Sequence, residues 1–236
     1  MSTVTTGAEV TPVTPQAPAR GLGVAAGAAL ALFASMFGTW TPESPEVGRT
    51  DAAGIRAWAA DAGFTLQLNA FAGVLAIVAL LVLTAALAGL VRQAAPNSVL
   101  GGLTLLGGGL LAAINTVVTG FTLLWVLPDL AALDDATVQT WYATAHVGQM
   151  LGEIAVVTQS LLMGAFSLAA LRGGIVARWL CWFGIVLAVI GLSSVLGLVV
   201  PSPVFQTTWL VGLYAWVLWP LLASIAFAVR LRRRRR

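Results

Sequence analysis

The chain has 236 residues, of which 59% are hydrophobic and only 9% are charged, and its mean hydropathy is +0.93. An average soluble domain carries about 25% charged residues, so this composition excludes a water-soluble globular protein. The formal charge of +3 does not indicate nucleic-acid binding, because half of the basic residues lie in the last seven positions and no folded basic face is predicted.

Six apolar stretches are long enough to cross a bilayer, whose hydrocarbon core of about 30 Å needs about 20 apolar residues per helix. The predicted spans cover residues 21–39, 64–91, 98–125, 144–171, 179–200 and 205–229. We therefore predict an all-α, polytopic transmembrane bundle of six helices over residues 21–231. A disordered tail rich in Thr and Pro (1–20) precedes it, and a basic tail (232–236) follows.

The first span carries a small residue at every fourth position: Gly23, Gly27, Ala31 and Ser35. Small side chains on one helix face allow a neighbouring helix to approach closely. This spacing predicts a helix contact along that face.

The longest connection, residues 40–63, contains a second helix-forming segment. Asp51 is its predicted N-cap, and Ile55, Trp58 and Ala62 fall on one face. Such a helix is expected to lie in the outer headgroup layer. The alternative is a lid over a cavity that faces the outside.

Polar residues interrupt the next two spans. Asn69 lies near the start of the second span, and Asn115 and Thr119 lie in the outer half of the third. Three consecutive glycines, residues 107–109, make the third span thin in its middle, which favours close packing there.

The fourth span is preceded by Asp134 and Asp135, either of which is a good helix N-cap. A helix that ran unbroken from there to residue 171 would exceed the thickness of a bilayer. We expect it to protrude on the outer side or to bend near Gly148 or Gly152.

Prolines shape the last two spans. Pro201 and Pro203 are expected to end the fifth span, and Pro220 is expected to kink the sixth and to free the carbonyl of Trp216. The single cysteine, Cys181, excludes an intrachain disulfide and a cysteine-pair redox or zinc motif.

The arginines predict the orientation. With the N-terminus inside, ten of the twelve arginines flank the inner ends of the spans, and only Arg49 and Arg56 lie in outer loops. The positive-inside rule therefore predicts a plasma-membrane protein with both termini in the cytoplasm. Residues 230–236 are also expected to bind anionic lipid headgroups.

The candidate site centres on the fourth span, where His146, Gln149 and Glu153 share one helix face. Ser160 continues that face, and Gln159 lies off it. Glu153 is about 13 Å below the start of the span, close to the middle of the bilayer. A charged residue at that depth costs on the order of 2.5–3.5 kcal/mol to insert, so it is a functional candidate by default.

Antiparallel packing is expected to bring Asn69, Asn115 and Thr119 towards the same group. Two interpretations of Glu153 stay open. The carboxyl can exchange a proton and couple proton movement to a substrate, with His146 as a relay. Alternatively, a neutral Glu153 bonds to Asn115 and simply pins two helices together.

Several chemistries are not supported. A lone histidine excludes bis-histidine haem ligation, and neither HExxH nor G-x-S-x-G occurs. No cofactor or metal is predicted. Three functions remain: a structural or regulatory membrane protein, a small proton-coupled transporter using Glu153, and a lipid-modifying enzyme with Glu153 and His146 as acid and base. The enzyme is the least supported, because no second acidic or metal-binding residue lies nearby.

Residues 170–184 read ALRGGIVARWLCWFG. This segment resembles bacterial membrane proteins grouped as domain of unknown function 4386, which have about six spans and an inner turn of the form Pro-Arg-Trp-Leu followed by a glycine. The matching residues here are Arg178, Trp179, Leu180 and Gly184, whereas Ala177 stands where that family usually has proline. The resemblance implies an uncharacterised multi-pass membrane protein and carries over no catalytic residues.

Overall fold

The computed structural model describes residues 19–39, 43–126, 129–200 and 202–235, and the side chains of Gln149 and Glu153 lie outside the described part. Every regular element within these ranges is helical. The elements are α1 (Ala19–Met36), α2 (Ala52–Asp61), α3 (Gly63–Ala94), α4 (Leu100–Leu123), α5 (Asp135–Gly173), α6 (Arg178–Ser193), a 3-10 helix (Ser194–Leu198) and α7 (Pro203–Arg235). The predicted all-α fold is confirmed.

Five of these helices are long and apolar enough to cross a membrane: α3, α4, α5, α6 with its 3-10 extension, and α7. The remaining long element, α1, contributes a shorter apolar stretch, Gly21–Met36. The chain is therefore a membrane-embedded helical bundle with several spans.

The six long helices form a closed ring in chain order, in which each packs against the next and α7 returns to α1. α5 also contacts α3 and α7 across the ring, which makes it the central helix of the bundle. Side chains on the inner faces of α1, α3, α4 and α7 therefore either contact α5 or line the space beside it.

The glycines of α4 allow close packing, as predicted. A Cβ added to Gly107 would lie 2.8 Å from the main-chain nitrogen of Leu162 on α5, and one added to Gly108 would lie 2.1 Å from Oγ1 of Thr84 on α3. Gly109 has no such neighbour within 4 Å. Gly107 and Gly108 therefore allow α4 to pack closely on α5 and on α3, respectively.

The predicted contact along the small-residue face of α1 forms only at its two ends, where Leu231 approaches Gly23 and Ser35 is buried. Ala31 is exposed, and a Cβ added to Gly27 would meet nothing within 4 Å. Both line an open apolar groove beside α3. The buried face of α1 is a neighbouring one, formed by Leu22, Ala25, Ala29 and Leu32.

Both ends of the described chain lie at the same end of the bundle, which we call the termini end. The side chain of Leu231 approaches Gly23, and Arg230 donates hydrogen bonds to the carbonyls of Gly174 and Ile175. α7 continues to Arg235, so most of the segment predicted as a basic tail forms the last turn of this helix. The opposite end, which carries α2, is called the α2 end.

α2 forms where it was predicted, and Asp51 is its N-cap, accepting a 2.8 Å hydrogen bond from the nitrogen of Gly54. It buries Ala52, Ile55 and Ala59. The helix therefore packs on the protein itself and does not merely lie in the headgroup layer.

Arg56 fastens α2 to the segment that leads into α5. Its guanidinium donates to the carbonyls of Leu130 (3.0 Å) and Leu133 (2.7 Å) and forms a 2.8 Å ion pair with Asp135. Main-chain carbonyls that lack helical partners are satisfied in this way.

α5 is one unbroken helix of 39 residues, capped by Asp134, whose carboxylate accepts a 2.9 Å hydrogen bond from the nitrogen of Thr137. Its length of about 58 Å is roughly twice the hydrocarbon thickness of a bilayer. Its first turns extend beyond the other long helices at the α2 end. Val138 and Tyr142 are buried there beside α2. The helix runs through Gly148 and Gly152 without a break.

α6 is shorter than predicted, because its α-helical part ends at Ser193 and a 3-10 helix continues to Leu198. The hydroxyls of Ser193 and Ser194 donate to the carbonyls of Ile190 and Gly191. Such bonds compete with the regular helical pattern. In α7, Pro220 lies inside the helix as expected.

Candidate functional site

The ring encloses a cavity of about 370 Å³, here called the central cavity. Five of the ring helices contribute to its wall. The lining residues are Leu32, Met36, Thr39, Ala76, Leu80, Asn115, Gln159, Leu213, Tyr214, Trp216 and Val217. The wall is mainly apolar, and the amides of Asn115 and Gln159 are its most polar groups.

Gln159 is the distinctive residue of the central cavity. Its side chain is 7% exposed, and none of the described protein groups donates a hydrogen bond to its Oε1. A buried acceptor without a partner costs about 1–3 kcal/mol. Sequence reasoning set Gln159 aside because it lies off the face of His146 and Glu153. The signal that could have identified it is a glutamine inside an apolar span.

Asn115 faces the same cavity from α4. Its Nδ2 donates a 2.8 Å hydrogen bond to the carbonyl of Leu111, one turn earlier on the same helix. This bond fixes the amide against its own helix. Asn115 therefore contributes a positioned polar group to the cavity wall.

The central cavity opens beside α7. Tyr214 lines it and is nevertheless 57% exposed, which places this residue at the mouth. Trp216, in contrast, is buried in the wall and stacks on Trp219, with 6.2 Å between the ring centroids. Tyr214 lies within α7, one of the helices that are long and apolar enough to cross a membrane.

A second, smaller cavity of about 110 Å³ lies at the α2 end and is called the cap cavity. It is lined by Thr39, Ser44, Trp58, Leu66, Asn69, Val118, Phe121, Thr122, Trp125, Tyr142, Ala145, His146 and Gly148. Small-molecule sites usually measure about 300–1,000 Å³, so this space is too small for a typical metabolite.

Three aromatic rings close the cap cavity. Trp58 of α2, Trp125 and Tyr142 pack edge to face, with centroid separations of 5.9, 5.9 and 5.7 Å. His146 lies next to Tyr142, at 5.3 Å. The rings pack on one another, so the cluster holds α2 in place.

Two further hydrogen bonds fix the loop before α2. Nε1 of Trp58 donates to the carbonyl of Glu43 at 2.9 Å, and the hydroxyl of Tyr142 donates to the carbonyl of Pro45. α2 therefore covers the cap cavity through Trp58, and its role as a lid stays a prediction.

The two cavities lie on either side of Thr39, which lines both. Nδ2 of Asn69 donates a 2.7 Å hydrogen bond to the carbonyl of Thr39. The preceding Gly38 is essential for this approach, since an added Cβ would lie 2.6 Å from that of Ala72 on α3. The turn after α1 thus separates the cavities.

The polar residues predicted to converge near Glu153 do not lie together, and they are divided between the two cavities and a helix contact. Asn115 lines the central cavity, and Asn69 and His146 line the cap cavity. Thr119 belongs to neither cavity, because it packs on Gly73 of α3.

Gln149 and Glu153 have their backbones in α5, and their side chains lie outside the described part. Ser160, on the same helix face, donates to the carbonyl of Val156 and packs against Gly191.

Charge is segregated along the bundle. The two ion pairs found among the described residues, Arg49–Glu46 and Arg56–Asp135, both lie at the α2 end. Hydrogen bonds from Thr137 lower the pKa of Asp134 there. Within the four described ranges, no three His, Cys, Asp or Glu side chains lie close enough together to hold a metal ion.

No protein-family model matches this chain, and neither a curated protein nor a solved structure shows significant similarity to it. The resemblance carried by the turn around Arg178 therefore stays a prediction.

Proposed function

We propose that this chain is a regulatory membrane protein that binds a small amphipathic ligand in its central cavity. The observation that carries the proposal is the acceptor Oε1 of Gln159, buried in the wall of a cavity without a protein donor. The cavity volume of about 370 Å³ falls within the range of small-molecule sites.

The wall indicates the class of ligand. Leu32, Leu80 and Val217 offer apolar surface. The Oε1 of Gln159 is itself covered and has no protein donor among the described residues, so a turn of this side chain towards the cavity would let it accept a hydrogen bond from an N–H or O–H group of a ligand. A charged ligand would need a counter-charge that the described lining residues do not supply. An uncharged molecule with an apolar body and one donor group fits best, and the mouth at Tyr214 allows it to enter from the lipid.

The test compares hexylphenol with its methyl ether, hexylanisole, because the two differ mainly in the donor. Each is added to the full chain in lipid nanodiscs, and the melting temperature is recorded. We expect hexylphenol to raise the melting temperature more than hexylanisole does. Gln159→Leu is expected to abolish this difference and to weaken hexylphenol binding about fivefold, the equivalent of one neutral hydrogen bond.

Gln67→Leu is the matched control, since Gln67 is an exposed glutamine on α3 outside both cavities. It should keep the full response to hexylphenol. Equal responses to the phenol and the ether, or an unchanged response in Gln159→Leu, would contradict the proposal.

A second candidate function is that of a small proton-coupled transporter. It is favoured by Thr39, because this residue separates a cavity at the α2 end from the central cavity. In this proposal Glu153 exchanges the proton. Glu153→Gln is then expected to abolish proton uptake driven by a pH gradient in proteoliposomes. The melting temperature is expected to stay unchanged. A large drop in melting temperature would instead support the role of a helix pin.

We also propose that both termini face the cytoplasm and that the bundle lies in the plasma membrane. The described arginines at the termini end, Arg92, Arg172, Arg178, Arg230, Arg232 and Arg233, support this orientation. In a Cys181→Ser background, cysteines placed at positions 51 and 232 distinguish the two ends. A membrane-impermeant thiol reagent added to intact cells should label only position 51.

A further inference from the structure

A third space, a groove of about 560 Å³, lies at the termini end between α7 and the start of α6. Its wall along α7 is apolar and includes Leu222, Ile225 and Val229. Arg230 and Arg233 line the end of the groove nearest the chain terminus. The groove is thus apolar towards the middle of the bundle and cationic at its end.

The cationic end is built into the fold. Arg230 donates hydrogen bonds to the carbonyls of Gly174 and Ile175 in the turn before α6, which fixes its charge at this place. Arg233 follows three positions later, so both side chains project on the same side of α7. Arg233 itself is exposed.

Trp179 indicates how deep in the membrane the cationic end of the groove lies. Trp179 lines the groove and is 58% exposed, and tryptophan is enriched where the hydrocarbon meets the headgroups. The arginines therefore lie at the level of lipid phosphates, and the apolar wall lies at the level of acyl chains.

Arg233 forms no ion pair with a described residue, since the two ion pairs found in the described part of the chain lie at the other end of the bundle. Arginine binds phosphate oxygens through charge-assisted hydrogen bonds. Charge complementarity and the apolar wall together define an amphipathic, anionic occupant.

We propose that this groove binds one anionic phospholipid, with an acyl chain along Leu222, Ile225 and Val229 and the phosphate bound by Arg233. This site is separate from the central cavity, and it is more specific than a general attraction of the basic terminus to the membrane surface.

Native mass spectrometry of the detergent-purified full chain tests the proposal. The chain is titrated with phosphatidylglycerol and with phosphatidylcholine of identical acyl chains. We expect one phosphatidylglycerol to be retained at a concentration at which phosphatidylcholine is not. Arg233→Gln should weaken phosphatidylglycerol binding by about tenfold or more, since a charge-assisted bond is lost.

Arg232→Gln is the matched control, because Arg232 is the adjacent exposed arginine and does not line the groove. It removes the same charge and should change the affinity less than about twofold. Ala226→Phe fills the apolar wall without changing any charge and should also abolish retention. Melting temperatures near that of the parent chain show that these variants are folded.

Three results would overturn the proposal. Equal losses in Arg232→Gln and Arg233→Gln would indicate a diffuse attraction to headgroups. Equal retention of phosphatidylcholine would show that the arginines do not select an anionic headgroup. Competition by glycerol phosphate at the same concentration as the lipid would show that a free phosphate, and not a phospholipid, occupies the site.

Discussion

The side-chain amide of Asn69 on α3 donates a 2.7 Å hydrogen bond to the main-chain carbonyl of Thr39, just after α1. Thr39 lines both the central cavity and the cap cavity. This bond therefore holds the turn that separates the two spaces. It gives Asn69 a positioning role that differs from the substrate contact expected of a polar residue in a span.

Replacing Asn69 with Leu removes the donor and leaves a poorly satisfied carbonyl. We expect a loss of about 1–3 kcal/mol in stability and faster hydrogen exchange at the amides of Gly38 and Thr39. Hydrogen exchange followed by mass spectrometry measures the second effect. Gln67→Leu, on the exposed side of the same helix, should leave the exchange of this turn unchanged.

Gly107→Ala should destabilise the bundle, because the new Cβ would lie 2.8 Å from a main-chain nitrogen of α5 that cannot move aside. Such overpacking costs about 1–3 kcal/mol. Gly109→Ala adds the same atom where nothing lies within 4 Å, so it should be neutral or stabilising through helix propensity, by up to about 1 kcal/mol. Unfolding by SDS titration in mixed micelles compares the two variants. Equal effects would show that α4 does not pack on α5 through Gly107.

Arg56→Gln should release α2 from the bundle. The variant loses an ion pair with Asp135 and leaves the carbonyls of Leu130 and Leu133 without their donor. Limited proteolysis should cleave residues 43–62 faster than in the parent chain. The fluorescence of Trp58 should shift to the red because its ring becomes exposed to solvent. In contrast, Arg49→Gln breaks only the exposed pair with Glu46, which contributes little, and should leave the cleavage rate unchanged.

The cap of α5 should depend on pH. Hydrogen bonds from Thr137 lower the pKa of Asp134 from its ordinary value of 3.8, so the carboxylate contributes stability above that value and loses it as the pH falls through the lowered pKa. Asp134→Ala should therefore melt below the parent chain at pH 7, and this gap should close in acid. Asp61→Ala, an exposed change at the end of α2, should produce no comparable gap. A gap that persists well below pH 3.8 would contradict a charge-dependent cap.

The candidate site was predictable only in part. Asn69, Asn115 and His146 could be selected because polar side chains in apolar spans are conspicuous, and each of them lines a cavity. Their division between two cavities was not predictable, since it depends on the turn at Thr39. Gln159 was missed because it lies roughly 120° round the helix from Glu153, and the sequence does not indicate which face of α5 borders an open space.

Composition and local chemistry were enough to predict the all-α membrane-type bundle, α2 with its cap at Asp51, and the cap of α5. These features depend on the apolar content of each segment or on hydrogen bonds within a few residues. Packing between helices determined the rest: Gly107 contacts α5 whereas Gly27 borders an open groove, and Gln159 faces the central cavity. The physical reason is that lipid is as apolar as the bundle interior, so hydrophobic periodicity does not distinguish the face of a membrane helix that packs from the face that meets lipid.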